Sequence, residues 1–467
     1  MATGPAPNES QLGGVGILTT CPLPVETLAV PCQMPSVTGP LGGPVRGARF
    51  SELNWSYLIL LRLSGGDKVW VDRARNPYTP NAGAAPRYFA GRAAEVEDFR
   101  VLLRRLAAGY TEQSVVVTGL RGVGKTVLIG EFRRVADEEG WVALDAEVSK
   151  ATEFGPQMAT LARRALLRVS PKARWGERAK AAAGVIKSFT LTVAPDGSLG
   201  AGLDVEPEGG LADTGVLGED LPDVFEAIGR AAQESRHGGV VFLLDEIQFL
   251  NRLSLEALIG AVHRTVQRGL PVTFAGAGLP QLPGLAGEAK SYAERLFKFP
   301  SIGELPTAAA RAAVIEPARL EGVAFEPGAA DLIVAFTEGY PYFIQEYGRA
   351  VWNLAEGPAI TVADVRAAGD VVEAELDESF FRSRVQRSSP EELRYLRAMA
   401  HLGAAAQKAG DVAGVLGKTS EQVAPIRARL ISKGLLYTPR HGYAKFTVPQ
   451  FDRFMLRHMD LNTVPPA

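Results

Sequence analysis

The sequence predicts an α/β fold: a three-layer sandwich around a parallel sheet, then a smaller helical unit, then a C-terminal unit of three helices and a β-hairpin. Three observations predict it. Short, unbroken apolar runs, such as Val115-Val116-Val117 and Val240-Val241-Phe242-Leu243-Leu244, alternate with helix-length amphipathic stretches, as expected of strands buried on both faces. From about 307 to 383 the spacing of apolar residues is helical throughout. From Ser389 onward, capped short helices end in two strands.

The elements follow in order. Residues 1 to about 75 are rich in Gly, Pro, Thr and Ser and keep no sustained period, so they are expected to be a leader without a fold of its own, or to precede a later true start. Order is expected from Asn76. A helix over Ala93–Ala108 precedes a strand at Ser114–Thr118, a glycine-rich loop, a helix over Val127–Glu138 and a second strand at Val142–Leu144. The stretch of about 154–220 reads as an insertion, with an Arg-rich helix near Met158–Arg168. The β-branched run Phe189-Thr190-Leu191-Thr192-Val193, the Pro195-Asp196-Gly197 turn and Gly202–Val205 predict a β-hairpin inside it. A helix over Leu221–Glu234 leads to the strand Gly239–Leu244, a helix over Ser254–Arg268 and a fourth strand at Pro271–Ala275. The nucleus of the fold is thus placed at 76–305, the helical unit at 306–385 and the last unit at 386–467. A capping box marks Thr361-x-x-Asp364. Ser389-Pro390-Glu391-Glu392 joins a cap, a first-turn proline and a reciprocal glutamate, and Thr419-x-x-Gln422 opens a helix that Gly434 stops. Strands at Leu435–Tyr437 and Tyr443–Val448, joined by Pro439-Arg440-His441-Gly442, complete a winged-helix pattern.

Composition narrows the function. Of 467 residues, 46% are apolar and 22% charged, ordinary for a globular chain, and a formal net charge of −2 gives no global attraction to nucleic acid. No run approaches the roughly 18 apolar residues that a bilayer span needs, Tyr57-Leu58-Ile59-Leu60-Leu61 being far too short. No basic stretch followed by an apolar core marks a secretory signal, so the cytoplasm is the expected compartment. The two cysteines, Cys21 and Cys32, both lie in the leader, which excludes a disulfide framework or a structural zinc site in the body. The five histidines lack metal-ligand spacing, and no Ser/His/Asp or Cys/His set is credible.

Two motifs carry chemistry. Gly119-Leu120-Arg121-Gly122-Val123-Gly124-Lys125-Thr126, followed by Val127, fits G-x-x-x-x-G-K-[ST] in full. Its glycines let the backbone wrap a phosphate and turn N–H groups inward, and the following helix adds its positive end. Lys125 supplies a charge for the β- and γ-phosphates, and Thr126 offers Mg2+ a hard oxygen. More than a hundred residues on, a hydrophobic strand ends in Asp245-Glu246. Asp245 suits a Mg2+ site through water, and Glu246 is placed to polarise the water that attacks a γ-phosphate. ATP and Mg2+ are therefore the expected cofactors.

From Phe89-Ala90-Gly91-Arg92 to its end the chain resembles the AAA+ ATPases related to origin-recognition initiators, and also the signal-transduction ATPases with numerous domains. The matching pieces are Gly91-Arg92, the complete loop, Asp245-Glu246-x-Gln248 and Gly339-Tyr340-Pro341. The resemblance implies a sheet of order 5-1-4-3-2, an ATP-binding core and a lid that senses nucleotide. It also implies an arginine acting on a neighbouring subunit's nucleotide; Arg295 is the best-placed candidate, an ordinary surface arginine being the alternative. Thr273, the polar side chain of the fourth strand, is either the candidate nucleotide sensor or a residue that simply faces a helix. A lid arginine that many AAA+ proteins carry is missing from Gly339-Tyr340-Pro341-Tyr342, which favours a lid whose Pro341 turn packs near the nucleotide. Tyr88 and Phe89 either line an adenine pocket or belong to the core.

The unit from Ser389 holds eleven lysines and arginines against six aspartates and glutamates. Arg427, Arg429 and Lys433 sit on its third helix, Lys418 on the preceding turn, and Arg440, His441 and Lys445 on or beside the hairpin. Such a unit binds double-stranded DNA through the third helix, or serves as a protein-contact or purely intramolecular module with some of those arginines on its solvated face. Gln422 or an arginine would have to reach base edges for sequence preference. The expected function is slow ATP hydrolysis by a switch that couples nucleotide state to DNA binding. The alternative is a signalling or scaffold ATPase that forms homo-oligomers or recruits a protein partner.

Overall fold

The computed structural model describes residues 71–171, 175–196 and 203–459. The chain divides into two compact units, and everything described belongs to the second, Lys68–Ala467. The expectations for residues 1–70, including both cysteines and the run at 57–61, lie outside the described residues.

Helix α1 (Ala93–Ala107) precedes β1 (Ser114–Gly119), α2 (Lys125–Glu138) and β2 (Val142–Glu147). Helices α3 (Phe154–Val169), α4 (Glu177–Val193) and α5 (Leu217–Gln233) come before β3 (Val240–Asp245). Then follow α6 (Arg252–Gln267), β4 (Val272–Gly278), α7 (Leu282–Ala289), α8 (Ala293–Leu296), β5 (Phe297–Lys298) and β6 (Ser301–Ile302). The strands form one parallel sheet of order β2-β3-β4-β1-β5, with β6 also on β1. Read from the other edge, this is the expected 5-1-4-3-2, with the difference that the edge strand is broken into two short pieces.

Side chains alternate across this sheet as the pleat dictates. In β3, Val241 and Leu243 join the core shared with α1 and α2, whereas Val240, Phe242 and Leu244 join the core under α3 to α7. Every residue of β3 is buried, which explains why it reads as an unbroken apolar run rather than an alternating one.

The expected hairpin within 189–205 is a misreading. Phe189–Val193 is the last turn of α4, and residues 203–205 are not in a strand. Burial wins over β propensity: Ile186 and Phe189 are fully buried with α3 and α5. The Ser188, Thr190 and Thr192 hydroxyls donate to carbonyls four residues back, which keeps them satisfied within a helix. The expected leader is also too long. At 71–75, Val71 is buried, the Asp72 carbonyl accepts from Trp352 Nε1 at 2.9 Å, and Arg73 donates to the Asn353 carbonyl at 3.1 Å.

The helical unit comprises α9 (Thr307–Leu320), α10 (Ala329–Thr337), α11 (Pro341–Leu354) and α12 (Val362–Glu375), with a short parallel pair, β7 (Ala324–Phe325) and β8 (Ala359–Ile360). The Thr361–Asp364 capping box forms. A π-helical turn, Leu376–Arg382, and α13 (Ser383–Val385) carry the chain onward.

The last segment contains α14 (Pro390–Leu402), β9 (Gln407–Lys408), α15 (Ala409–Val415), α16 (Ser420–Ser432), β10 (Leu436–Tyr437), β11 (Tyr443–Phe446) and α17 (Phe451–His458). Capping boxes form at Ser389–Glu392 and Thr419–Gln422. The sequence reading lacks β9, a two-residue strand that completes an antiparallel sheet β10-β11-β9. It also lacks α17, whose Phe451 and Phe454 close on Phe381 at ring distances of 5.7 and 5.3 Å. One hydrophobic core therefore runs from the sheet through the helical unit into the C-terminal segment.

Candidate nucleotide site

The carboxyl ends of parallel strands are where an open α/β sheet presents a ligand crevice. There the chain leaves β1 through a tight loop made possible by Gly122 and Gly124, both left-handed with φ of +83° and +91°. Helix α2 then starts at Lys125, its N-terminus facing the loop. Lys125 is buried, and its Nζ donates to the Leu120 carbonyl at 2.8 Å. Burial holds its pKa below the ordinary lysine value, partly offset by Glu246 and Asp245.

Asp245 closes β3 beside this loop. Its Oδ2 accepts from the Thr126 hydroxyl at 2.5 Å and its Oδ1 from the Glu246 amide at 2.7 Å. Burial raises the Asp245 carboxyl above its usual range. Among the described residues no group of three or more His, Cys, Asp or Glu is placed to hold a metal. Thr126 and Asp245 instead offer two adjoining hard oxygens, a donor set that fits Mg2+ completed by phosphate and water. Glu246 adopts a left-handed conformation, φ +56° and ψ +34°, that aims its side chain into the crevice.

A cavity of about 530 Å3 opens over the loop, a size suited to a small organic ligand. One wall is the stretch Thr79–Ala90. It is clipped to α11 by Asn76, which donates to the Arg349 carbonyl at 3.0 Å, and by the Thr79 amide, which donates to Gln345 at 3.0 Å. Tyr88 and Phe89 both line the cavity, Phe89 also packing on the core. Pro341 is the first residue of α11 and a wall of the cavity, and the next amide, of Tyr342, donates to the Gly122 carbonyl at 3.2 Å. Gly91, at φ +70°, lies so close to α9 that a β-carbon would meet Ala309 at 2.9 Å, and buried Arg92 donates to the Gly303 carbonyl.

Two sequence candidates lie elsewhere. Thr273 is buried at the opposite, amino-terminal end of β4, where its hydroxyl shares a 2.9 Å hydrogen bond with Ser114. Its partner in the sheet, not a nucleotide, satisfies it, so Thr273 is no sensor. Arg295 is exposed on α8, and its carbonyl accepts from Gln113; within this chain it is not among the cavity residues.

An arginine does reach the cavity, from a place the sequence did not suggest. Arg384 on α13 lines it beside Phe380, whose ring lies 3.5 Å from the guanidinium. The guanidinium donates to the Phe380 carbonyl, and no carboxylate pairs with it among the described residues. Burial, then the charge of Arg121, pushes its pKa down to about 10. Arg121 itself projects toward the C-terminal segment, where a β-carbon on Gly434 would lie 3.0 Å from its Nη2. No local pattern in Ser383-Arg384-Val385 distinguishes this arginine from a surface one; only the path of the π-helical turn brings it in.

The strand–loop–helix with its acidic pair defines a P-loop nucleotide-binding protein. Residues 88–274 match the family model described as AAA ATPase domain, so this part of the chain carries that domain. Residues 378–455, which include Arg384 and Gly434, match a domain family of unknown function. No curated protein matches the sequence. Among solved structures, the chain is similar to the Aeropyrum pernix Orc1 protein in complex with DNA, at 14% identity and a TM-score of 0.41, covering 84% of this chain and 98% of that one. It is similar to the Thermotoga maritima RuvB Holliday junction branch migration motor, at 15% identity and 0.42, covering 80% and 96%. It is also similar to a Walker-type ATPase of Pyrococcus abyssi, at 14% and 0.44, covering 79% and 96%. Likenesses of this degree carry nothing about function. No described helix is long and apolar enough to cross a membrane.

Proposed function

We propose that the protein is an ATP-operated switch that hydrolyses ATP slowly and transmits the state of its nucleotide to the C-terminal segment. The observation that carries this reading is one cavity lined by Lys125, Thr126, Glu246, Pro341 and Arg384 together, so core and lid face a single ligand, while Arg121 of the same cavity reaches Gly434 in the C-terminal segment. The triphosphate lies along the loop with backbone N–H groups of α2 turned to it. Lys125 exchanges the Leu120 carbonyl for phosphate oxygens. Thr126 and Asp245 would hold Mg2+, which when bound neutralises phosphate charge. Glu246 orients the attacking water, and Arg384 meets charge on the phosphates, an anion being the partner that its buried guanidinium lacks. Arg295, exposed at α8, serves a neighbouring copy's nucleotide if the chain assembles.

The C-terminal segment acts in this reading as a winged helix that contacts double-stranded DNA. Three of its expected contacts have internal partners: Arg429 and Lys433 pair with buried Glu392 at 3.3 and 2.5 Å, and Lys418 with Glu391 at 3.1 Å. DNA contact therefore falls to Arg427 and to the hairpin residues Arg440, His441 and Lys445. The same ion pairs favour a second reading, in which the segment is a protein-contact module.

ATP turnover by wild type and Glu246→Gln, with and without duplex DNA at low and moderate salt, tests both. Turnover that DNA raises, more at low salt, and that Glu246→Gln abolishes supports the first. Turnover indifferent to DNA at both salts overturns DNA coupling, and turnover unchanged by Glu246→Gln overturns the assigned chemistry.

A further inference from the structure

We infer that Gln248 is the positioning residue for Glu246, an amide strut that ties the reactive carboxylate to the backbone at the carboxyl end of β4. This rests on the ATPase reading of the same site.

The geometry begins with the turn after β3. A 3-10 turn, Ile247–Phe249, follows Glu246 and brings Gln248 back beside it. Gln248 Nε2 donates to Glu246 Oε2, while Gln248 Oε1 accepts from the Leu279 amide at 3.2 Å. The second bond settles the first. An oxygen fixed on an N–H donor leaves the NH2 group facing the carboxylate, so the amide has one satisfied orientation. Donation to Oε2 leaves Glu246 Oε1 for a water, and fixes the side chain of a residue whose backbone is already in a sparsely populated region.

The neighbouring strand is shaped to admit the strut. A β-carbon at Gly278 would sit 2.4 Å from Gln248 Oε1, and one at Gly276 would sit 2.5 Å from the Phe274 ring and 2.9 Å from Ile247 Cδ1. Both glycines lie on β4 where the turn presses against it, and neither has a positive φ. The lack of a side chain, not backbone freedom, is what the site uses. The end of β4 thus takes part through the backbone N–H of Leu279, which accounts for the failure to find a polar side chain there: Thr273 lies at the other end of the strand.

The test compares Gln248→Ala, Gln248→Glu and Gln248→Asn with wild type and Glu246→Gln, measuring kcat, KM, ATP affinity, Tm and the pH dependence of kcat. Gln248→Ala is expected to lower kcat about tenfold or more while KM and ATP affinity stay within about twofold and Tm holds. Gln248→Glu keeps an acceptor for Leu279 but sets a carboxylate against Glu246. Its kcat is expected to be no higher than that of Gln248→Ala, because the added carboxylate repels Glu246 instead of holding it. Gln248→Asn, one methylene short, cannot span both partners and should follow Gln248→Ala. Wild-type kcat in Gln248→Ala, or losses of affinity and Tm that account for the loss of turnover, overturns the inference. If Glu246→Gln itself leaves turnover intact, the ATPase reading fails instead, whatever Gln248 does.

Discussion

At the scale of single residues, the site holds buried charge that the protein alone does not neutralise. Among the described residues the hydrogen-bond partner of Lys125 is a backbone carbonyl, and burial depresses its pKa. The charge therefore costs stability until phosphate arrives. Lys125→Met is expected to raise the Tm of the nucleotide-free protein by about 1–3 °C, because it removes a buried charge without an ion-pair partner, and to abolish the rise in Tm that ATP-Mg2+ gives wild type. Differential scanning fluorimetry with and without nucleotide checks both; a methionine variant less stable than wild type without ligand contradicts the account. Arg384 is the corresponding case in the lid. Arg384→Ala should weaken ATP binding about tenfold and leave ADP binding less affected, as measured by calorimetry. The phosphate loop and acidic pair were legible because their chemistry is fixed by residue type at short spacing. Arg384 and Gln248 were not assigned these roles, because each depends on where a distant or turning backbone delivers an ordinary side chain.

At the scale of elements, legibility tracked local against tertiary control. The four long strands of the sheet and the three capping boxes read correctly, because periodicity and side-chain to backbone bonds are local properties. The last turn of α4 did not, because a Thr-rich run can satisfy its hydroxyls inside a helix once Phe189 is buried. The basic character of α16 was legible as composition, yet Arg429 and Lys433 turn toward Glu392 at the start of α14. Burial alone would raise the Glu392 carboxyl, but Lys433, the Ser389 amide and Arg429 outweigh it and hold the pKa below the ordinary value. An acid with a lowered folded pKa contributes stability above its unfolded value and loses it as pH falls through the folded one. Wild type should accordingly lose stability more steeply than Glu392→Gln between about pH 5 and pH 3. Near pH 7 the variant should be less stable by about 1–3 kcal/mol, less than for a fully buried pair because both cations reach solvent. Urea titrations at pH 7 and pH 4 measure the difference; equal losses in both proteins would remove Glu392 from the acid response.

At the scale of the molecule, the physical question is how a phosphate could be felt in the C-terminal segment. The shared aromatic core makes that segment part of one packed body rather than a tethered module: Phe380 and Phe381 join Tyr342 on the lid to Phe451 and Phe454 on α17. Against this apolar attraction stand two cations with no carboxylate partner among the described residues, Arg384 and Arg121, whose mutual repulsion is part of the Arg384 environment. Arg121 rests on Gly434, immediately after α16. ATP adds negative charge between them and should tighten the contact, whereas ADP supplies less. Hydrogen exchange across α16 and α17 is therefore expected to slow with ATP in the non-hydrolysing Glu246→Gln variant and to quicken with ADP, by about tenfold between the two states. Arg121→Ala should erase that difference while nucleotide still binds, because the loop cradles phosphate through its backbone. Gly434→Ala, which places a β-carbon against Arg121 at a position with φ +70°, should quicken exchange in every nucleotide state. Equal exchange with ATP and ADP in Glu246→Gln would mean that the two cations report the phosphate only to the lid, and the switch would end there.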